Sequence, residues 1–207
     1  PLLLLWPTWV AWPLKILVVF FHELSHGAAA ALTGGGIVRI EVDAAQGGLC
    51  VTRGGNGFLI LSAGYLGSLL WGGLALLVSS RTRVDRAVST ILGCVMLAVT
   101  FLWIRPVIGF GFGFHLVAGL ALLVVGARLP ERVNDILLKV FGLASCLYVV
   151  PDIWSDTIAR SGLRSDARML AEMTHVPTVI WGGIWIVVAV LLTGWFLSRS
   201  CRTTESA

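Results

Sequence analysis

An all-α polytopic membrane protein, with about six transmembrane helices and a short β-hairpin between the first two, is the architecture that this sequence predicts. Three observations predict it. The chain of 207 residues is 57% hydrophobic and only 13% charged, with a mean hydropathy of +0.90, whereas a soluble domain carries about 25% charged residues. Its apolar residues fall into six runs of about 20 residues, the length needed to cross a bilayer. Between the first two runs, residues 37–53 change to an alternating pattern. Residues 1–200 read as one membrane-embedded domain and 201–207 as a polar tail.

Span one is expected from about Leu14 to Thr33, stopped by Gly34-Gly35-Gly36. Trp6, Trp9 and Trp12 precede it, where an interfacial aromatic belt sits. Val38, Ile40 and Val42 then alternate with Arg39, Glu41 and Asp43, a period-two strand pattern. Gln46-Gly47-Gly48 is a turn, and Leu49 to Thr52 is a second short strand, so a hairpin joins two helices. Its place is read either as a connector or plug at the membrane surface or as an exposed edge for an extended peptide. Span two runs from about Phe58 to Ser79 and contains Ser62-Ala63-Gly64-Tyr65-Leu66-Gly67-Ser68, a small-residue face for close helix packing. Spans three to six are expected at about Ala87–Trp103, Val107–Gly126, Ile136–Trp154 and Val179–Leu197, with a partly helical polar stretch between Ser155 and Pro177.

The net charge of +4 does not point to nucleic acid, because the basic residues are spread over short loops. Cys50, Cys94, Cys146 and Cys201 form no CxxC pair, so neither a thiolate metal site nor a disulfide is expected. Chemistry concentrates at His22-Glu23-Leu24-Ser25-His26, inside span one. On a helix His22 and His26 are one turn apart on one face. Two neutral imidazoles so placed hold a Zn²⁺ ion, and Glu23 beside them is the candidate base for an attacking water. Such groups cost several kcal/mol at bilayer depth unless they are paired, coordinated or wetted, so a segment serving only as an anchor has little reason to carry them.

A catalytic zinc uses three protein ligands and leaves one position open. Asp152, at the end of the apolar run Leu147-Tyr148-Val149-Val150-Pro151, is the third ligand that depth favours. Asp166 in Ser165-Asp166-Ala167 is the alternative, with helix capping beside Ser165 as its structural explanation. Asp156 ranks behind both. His115, next to the alternating Gly/Phe run 109–114, and His175 read as packed or loop histidines rather than ligands.

The HExxH helix, the Gly-rich hairpin ending Gly47-Gly48 and the small-residue segment Ser62 to Ser68 resemble the site-2-protease type of intramembrane metalloprotease. More closely, the chain resembles the bacterial and plant M50B-like peptidases, over residues 14 to about 190. The Leu-Asp-Gly motif that carries the third ligand in better-known members is absent, and Ser165-Asp166-Ala167 is a loose echo of it. The resemblance implies a zinc endopeptidase acting on a single-span or membrane-proximal segment of another protein, in a lipid bilayer, with a bacterial cell membrane as the expected location. Its rivals are a non-catalytic membrane protein of the same fold, binding partners or using zinc structurally, and a transporter, against which the absence of an inverted repeat counts.

Overall fold

The computed structural model describes residues 8–159 and 165–201. Trp6 and the tail beyond Cys201 lie outside the described residues. Among these residues six helices are long and apolar enough to cross a membrane. A 3-10 turn at Trp9–Ala11 leads into α1, Trp12–Leu32. Strands β1, Gly36–Val42, and β2, Gly48–Arg53, follow. Then come α2, Gly57–Arg81, α3, Asp85–Trp103, α4, Phe110–Arg128, and α5, Glu131–Trp154. A π-helical turn at Ser155–Ala159, the short helix α6, Asp166–Thr174, and α7, Thr178–Cys201, complete the order.

The helix ends follow from local chemistry. Pro13 sits in the first turn of α1, where no intrahelical donor is lost. Asn56 caps α2 by accepting from the Leu59 amide at 3.1 Å. Two helix starts depart most from expectation. Span four begins at Phe110, not near Val107, because the chain before it is captured by β1: Ile104 bridges Ile40, and the Arg105 amide donates to the Ile40 carbonyl at 2.9 Å. Span five begins at Glu131, earlier than Ile136, since its polar first turns are accommodated at the helix end. There Asn134 donates from its side-chain Nδ2 toward the carbonyls of Val125, Leu129 and Pro130.

The hairpin pairs antiparallel, with Ile40 opposite Cys50 and Val42 opposite Gly48. Its turn is closed by Asp43, whose Oδ1 accepts from the amides of Ala45 and Gly47 at 2.8 Å each, with Gln46 at φ 72°. The hairpin is not a connector lying across the end of the bundle. A Cβ on Gly55 would meet Ala30, one on Gly27 would meet Ile37, and one on Gly48 would meet Glu23. The Ala44 carbonyl at the hairpin tip accepts from Trp12 Nε1 at 2.9 Å. The α1 partners therefore fall from Ala30 to Trp12 as the hairpin runs toward its tip, about 27 Å of helix at 1.5 Å per residue. The hairpin folds back along α1, where irregular backbone is tolerated because it is buried in protein or lines a wetted cavity.

Two apolar clusters hold the bundle. One gathers Ile16, Phe20, Phe21 and Leu24 of α1, Ile40 and Val42 of β1, Leu92, Met96 and Val99 of α3, and Phe141 of α5. The other gathers Tyr65 and Leu69 of α2, Val149 and Ile153 of α5, Ala167 and Leu170 of α6, and Trp185 and Ala189 of α7. Large apolar residues such as Ile91, Val117, Val124, Val187 and Leu191 stay exposed on the outer faces, as lipid contact requires.

Helices α2 and α5 touch backbone to backbone: a Cβ on Gly142 would lie 2.6 Å from both the Gly72 carbonyl oxygen and the Leu76 Cβ. Gly142→Ala is therefore expected to destabilise the protein by about 1–3 kcal/mol through overpacking. Gly194→Ala, where a Cβ meets nothing within 4 Å, is expected to be neutral or to stabilise α7 by up to about 1 kcal/mol. Denaturation midpoints of the two variants in detergent check the contrast.

Candidate metal centre

Helix α1 carries His22, Glu23 and His26 on the seam between the two apolar clusters, with Phe21 and Leu24 on one side and Tyr65 and Ala167 on the other. The one-turn spacing sets both imidazoles on one face, with ring centroids 4.7 Å apart. Asp166, the first residue of α6, meets them from a distant part of the chain. Its Oδ2 lies 3.0 Å from His22 Nε2 and 3.2 Å from His26 Nε2. Among the described residues, His22, His26 and Asp166 are the group of ligating side chains that could share a metal ion, with one ligand atom from each, all within 4.8 Å of one another.

The donor chemistry fits a cation. His26 Nδ1 lies 2.6 Å from the Ile60 carbonyl oxygen. A carbonyl only accepts, so Nδ1 carries the proton and Nε2 of the neutral ring presents its lone pair toward Asp166. Two ring nitrogens and a carboxylate oxygen around one point repel one another unless positive charge lies among them. The side chains of His22 and Asp166 are 16% and 11% exposed, so the site is sheltered yet reachable by water.

Space for the group is made by glycine. A Cβ on Gly64 of α2 would lie 2.6 Å from His26 Nε2 and closer still to His22 Nε2. Glu23 is buried and faces β2. A side chain on Gly48 would collide with the Glu23 carboxyl. Tyr65 packs its ring edge-on against His22, centroids 4.7 Å apart, and donates its hydroxyl to Asp156 Oδ2 at 2.8 Å.

Of the carboxylates singled out from sequence, Asp166 is therefore the one beside both imidazoles. Asp152 lies in the last turn of α5, near enough to interact electrostatically with His22 but outside the three-residue group. Ser165 does cap α6, its Oγ accepting from the Arg168 amide at 3.3 Å; capping and approach to the histidines are compatible because Asp166 is the next residue along. His115 is fully buried against Phe20 and donates from Nδ1 to the Gly111 carbonyl at 2.6 Å. His175 ends α6 in the left-handed conformation, φ 59°. Sequence reasoning passed over Gly64 and Tyr65 as packing residues. Tyr65 carried one signal, being one of two tyrosines in the chain and set within a run of small residues.

No curated protein and no solved structure matches the chain. A family model does, that of the peptidase M50B-like family, over residues 1–196. With six apolar helices, a hairpin between the first two and nearly its whole length matched, the chain belongs to the peptidase M50B-like family, which implies a membrane metallopeptidase of the site-2-protease type.

Proposed function

We propose that the protein is an intramembrane zinc endopeptidase in which His22, His26 and Asp166 hold the ion and Glu23 is the general base. The observation that carries this reading is the meeting of one Asp166 oxygen with both Nε2 atoms at 3.0 and 3.2 Å. A tetrahedral zinc with bonds of about 2.0–2.1 Å sets neighbouring ligand atoms about 3.3 Å apart. Three protein ligands leave one position open, the arrangement of a catalytic rather than a structural site.

A bound zinc supplies Lewis acidity, lowering the pKa of a water toward about 7 and drawing electron density from a peptide carbonyl. Glu23 takes the proton of the attacking water and passes it to the leaving nitrogen. The Ile60 carbonyl holds His26 in the tautomer whose Nε2 is free to bind. A substrate helix must unwind before its amides are accessible, and the edge of β2 beside Glu23 suits an extended peptide, because among the described residues β2 pairs with β1 alone in a two-stranded sheet. The substrate class is a single-span or membrane-proximal segment of another membrane protein.

Glu23→Gln in reconstituted membranes is expected to keep zinc and to lose cleavage of a transmembrane substrate by about 10²–10⁴-fold; unchanged cleavage removes Glu23 from its role. Asp166→Asn is expected to weaken zinc binding far more than Asp152→Asn, measured by metal content after dialysis against a chelator; the reverse order would make Asp152 the ligand. Gly64→Ala is expected to abolish stoichiometric zinc, because the added methyl occupies the space between the two Nε2 atoms. Zinc retained at wild-type level in that variant would contradict the assigned position of the ion.

A further inference from the structure

Asp166 is separated from the HExxH helix by most of the chain, and it sits on a helix of nine residues. A ligand so mounted needs something to set its position. The contacts around it form a closed circuit. Tyr65 of α2 donates to Asp156 Oδ2 at 2.8 Å. Asp156 lies in the π-helical turn that prolongs α5, a wider coil of a kind often found at functional sites. The backbone carbonyl of the same Asp156 accepts from Ser165 Oγ at 3.4 Å, and Ser165 caps α6. The next residue, Asp166, meets His22 and His26. His22 in turn lies edge-on against the Tyr65 ring, which closes the circuit. Within α6, Ala167 and Leu170 are fully buried and fasten the helix to the cluster that contains Tyr65.

We propose that Tyr65 and Asp156 form a latch that delivers Asp166 to the two imidazoles, so that the metal site is completed by the docking of the Ser155–Ala159 turn and α6 onto α2. The proposal rests on the zinc reading above. One residue acts on both halves of the site. The Tyr65 hydroxyl anchors the segment that brings the carboxylate, and its ring restrains the His22 imidazole that the carboxylate meets. Tyr65 and Asp156 are positioning residues; neither is one of the three ligands. A buried tyrosine hydroxyl needs a partner, and Asp156 is placed to serve as one only when the turn after α5 is seated. Loss of the bond removes this anchor without removing any zinc donor.

The test measures zinc Kd by competition with a chromophoric chelator, on the purified full chain in detergent. The proteins are wild type, Tyr65→Phe, Asp156→Asn, the double variant, and Asp166→Asn as reference. Tyr65→Phe keeps the ring and loses only the hydroxyl. Each single variant is expected to bind zinc about 10–100-fold more weakly, the usual effect of removing a group that orients a ligand. The double variant is expected to match the weaker single, because both changes cut the same bond. Single variants with wild-type Kd, or losses that multiply in the double variant, overturn the latch. A lowered unfolding midpoint of the zinc-free chain with an unchanged Kd also overturns it, since the bond would then serve general stability. In these cases the zinc reading survives if Asp166→Asn has lost the metal. A wild-type chain that takes up no zinc overturns both.

Discussion

One carboxylate oxygen and two imidazole nitrogens are held at about hydrogen-bonding distance around a common point, inside a bundle made of apolar helices. Lone pairs converging in so poorly solvated a place repel unless a proton or a metal cation lies among them. That constraint explains features that otherwise look unrelated. Gly64 has no side chain, and a Cβ there would strike both Nε2 atoms. His26 turns its Nδ1 proton to a backbone carbonyl so that its other nitrogen stays available. Helix α6 is short and amphipathic, and it carries one carboxylate from outside the membrane spans to a histidine pair inside one.

The hairpin is the second consequence of placing hydrolytic chemistry in such a bundle. By folding back along α1, the hairpin brings β2 against the Glu23 carboxyl. The close approach needs Gly27 and Gly48, where side chains would strike Ile37 and the Glu23 carboxyl. The other side of the hairpin is braced by Ile104 and Arg105 against β1 and by Gly111 against the Val42 backbone. Backbone polar groups that could not be left bare in hydrocarbon are thereby paired or covered.

Much of this was legible in the sequence because it is local. The helical period of the apolar runs, the period-two stretch at 37–43 and the one-turn spacing of His22 and His26 depend on near neighbours in the chain. What was not legible depends on tertiary folding. Depth along its own helix ranked Asp152 first among the acids, but the return of α6 sets Asp166 at the imidazoles, and no local pattern encodes that return. The hairpin's strands were visible while its course along α1 was not, because the course is decided by glycine contacts far apart in sequence. The start of α4 was misjudged for a related reason: an apolar Val107-Ile108 continues the hydropathy of the helix, yet the preceding residues are held extended by β1.

Zinc K-edge absorption on the purified full-length chain in detergent tests the central claim most directly. The account predicts one zinc per chain, with two imidazole nitrogens and two oxygens at about 2.0–2.2 Å, one oxygen from Asp166 and one from solvent. A thiolate in the shell, four protein ligands with no exchangeable position, or no bound zinc would contradict it.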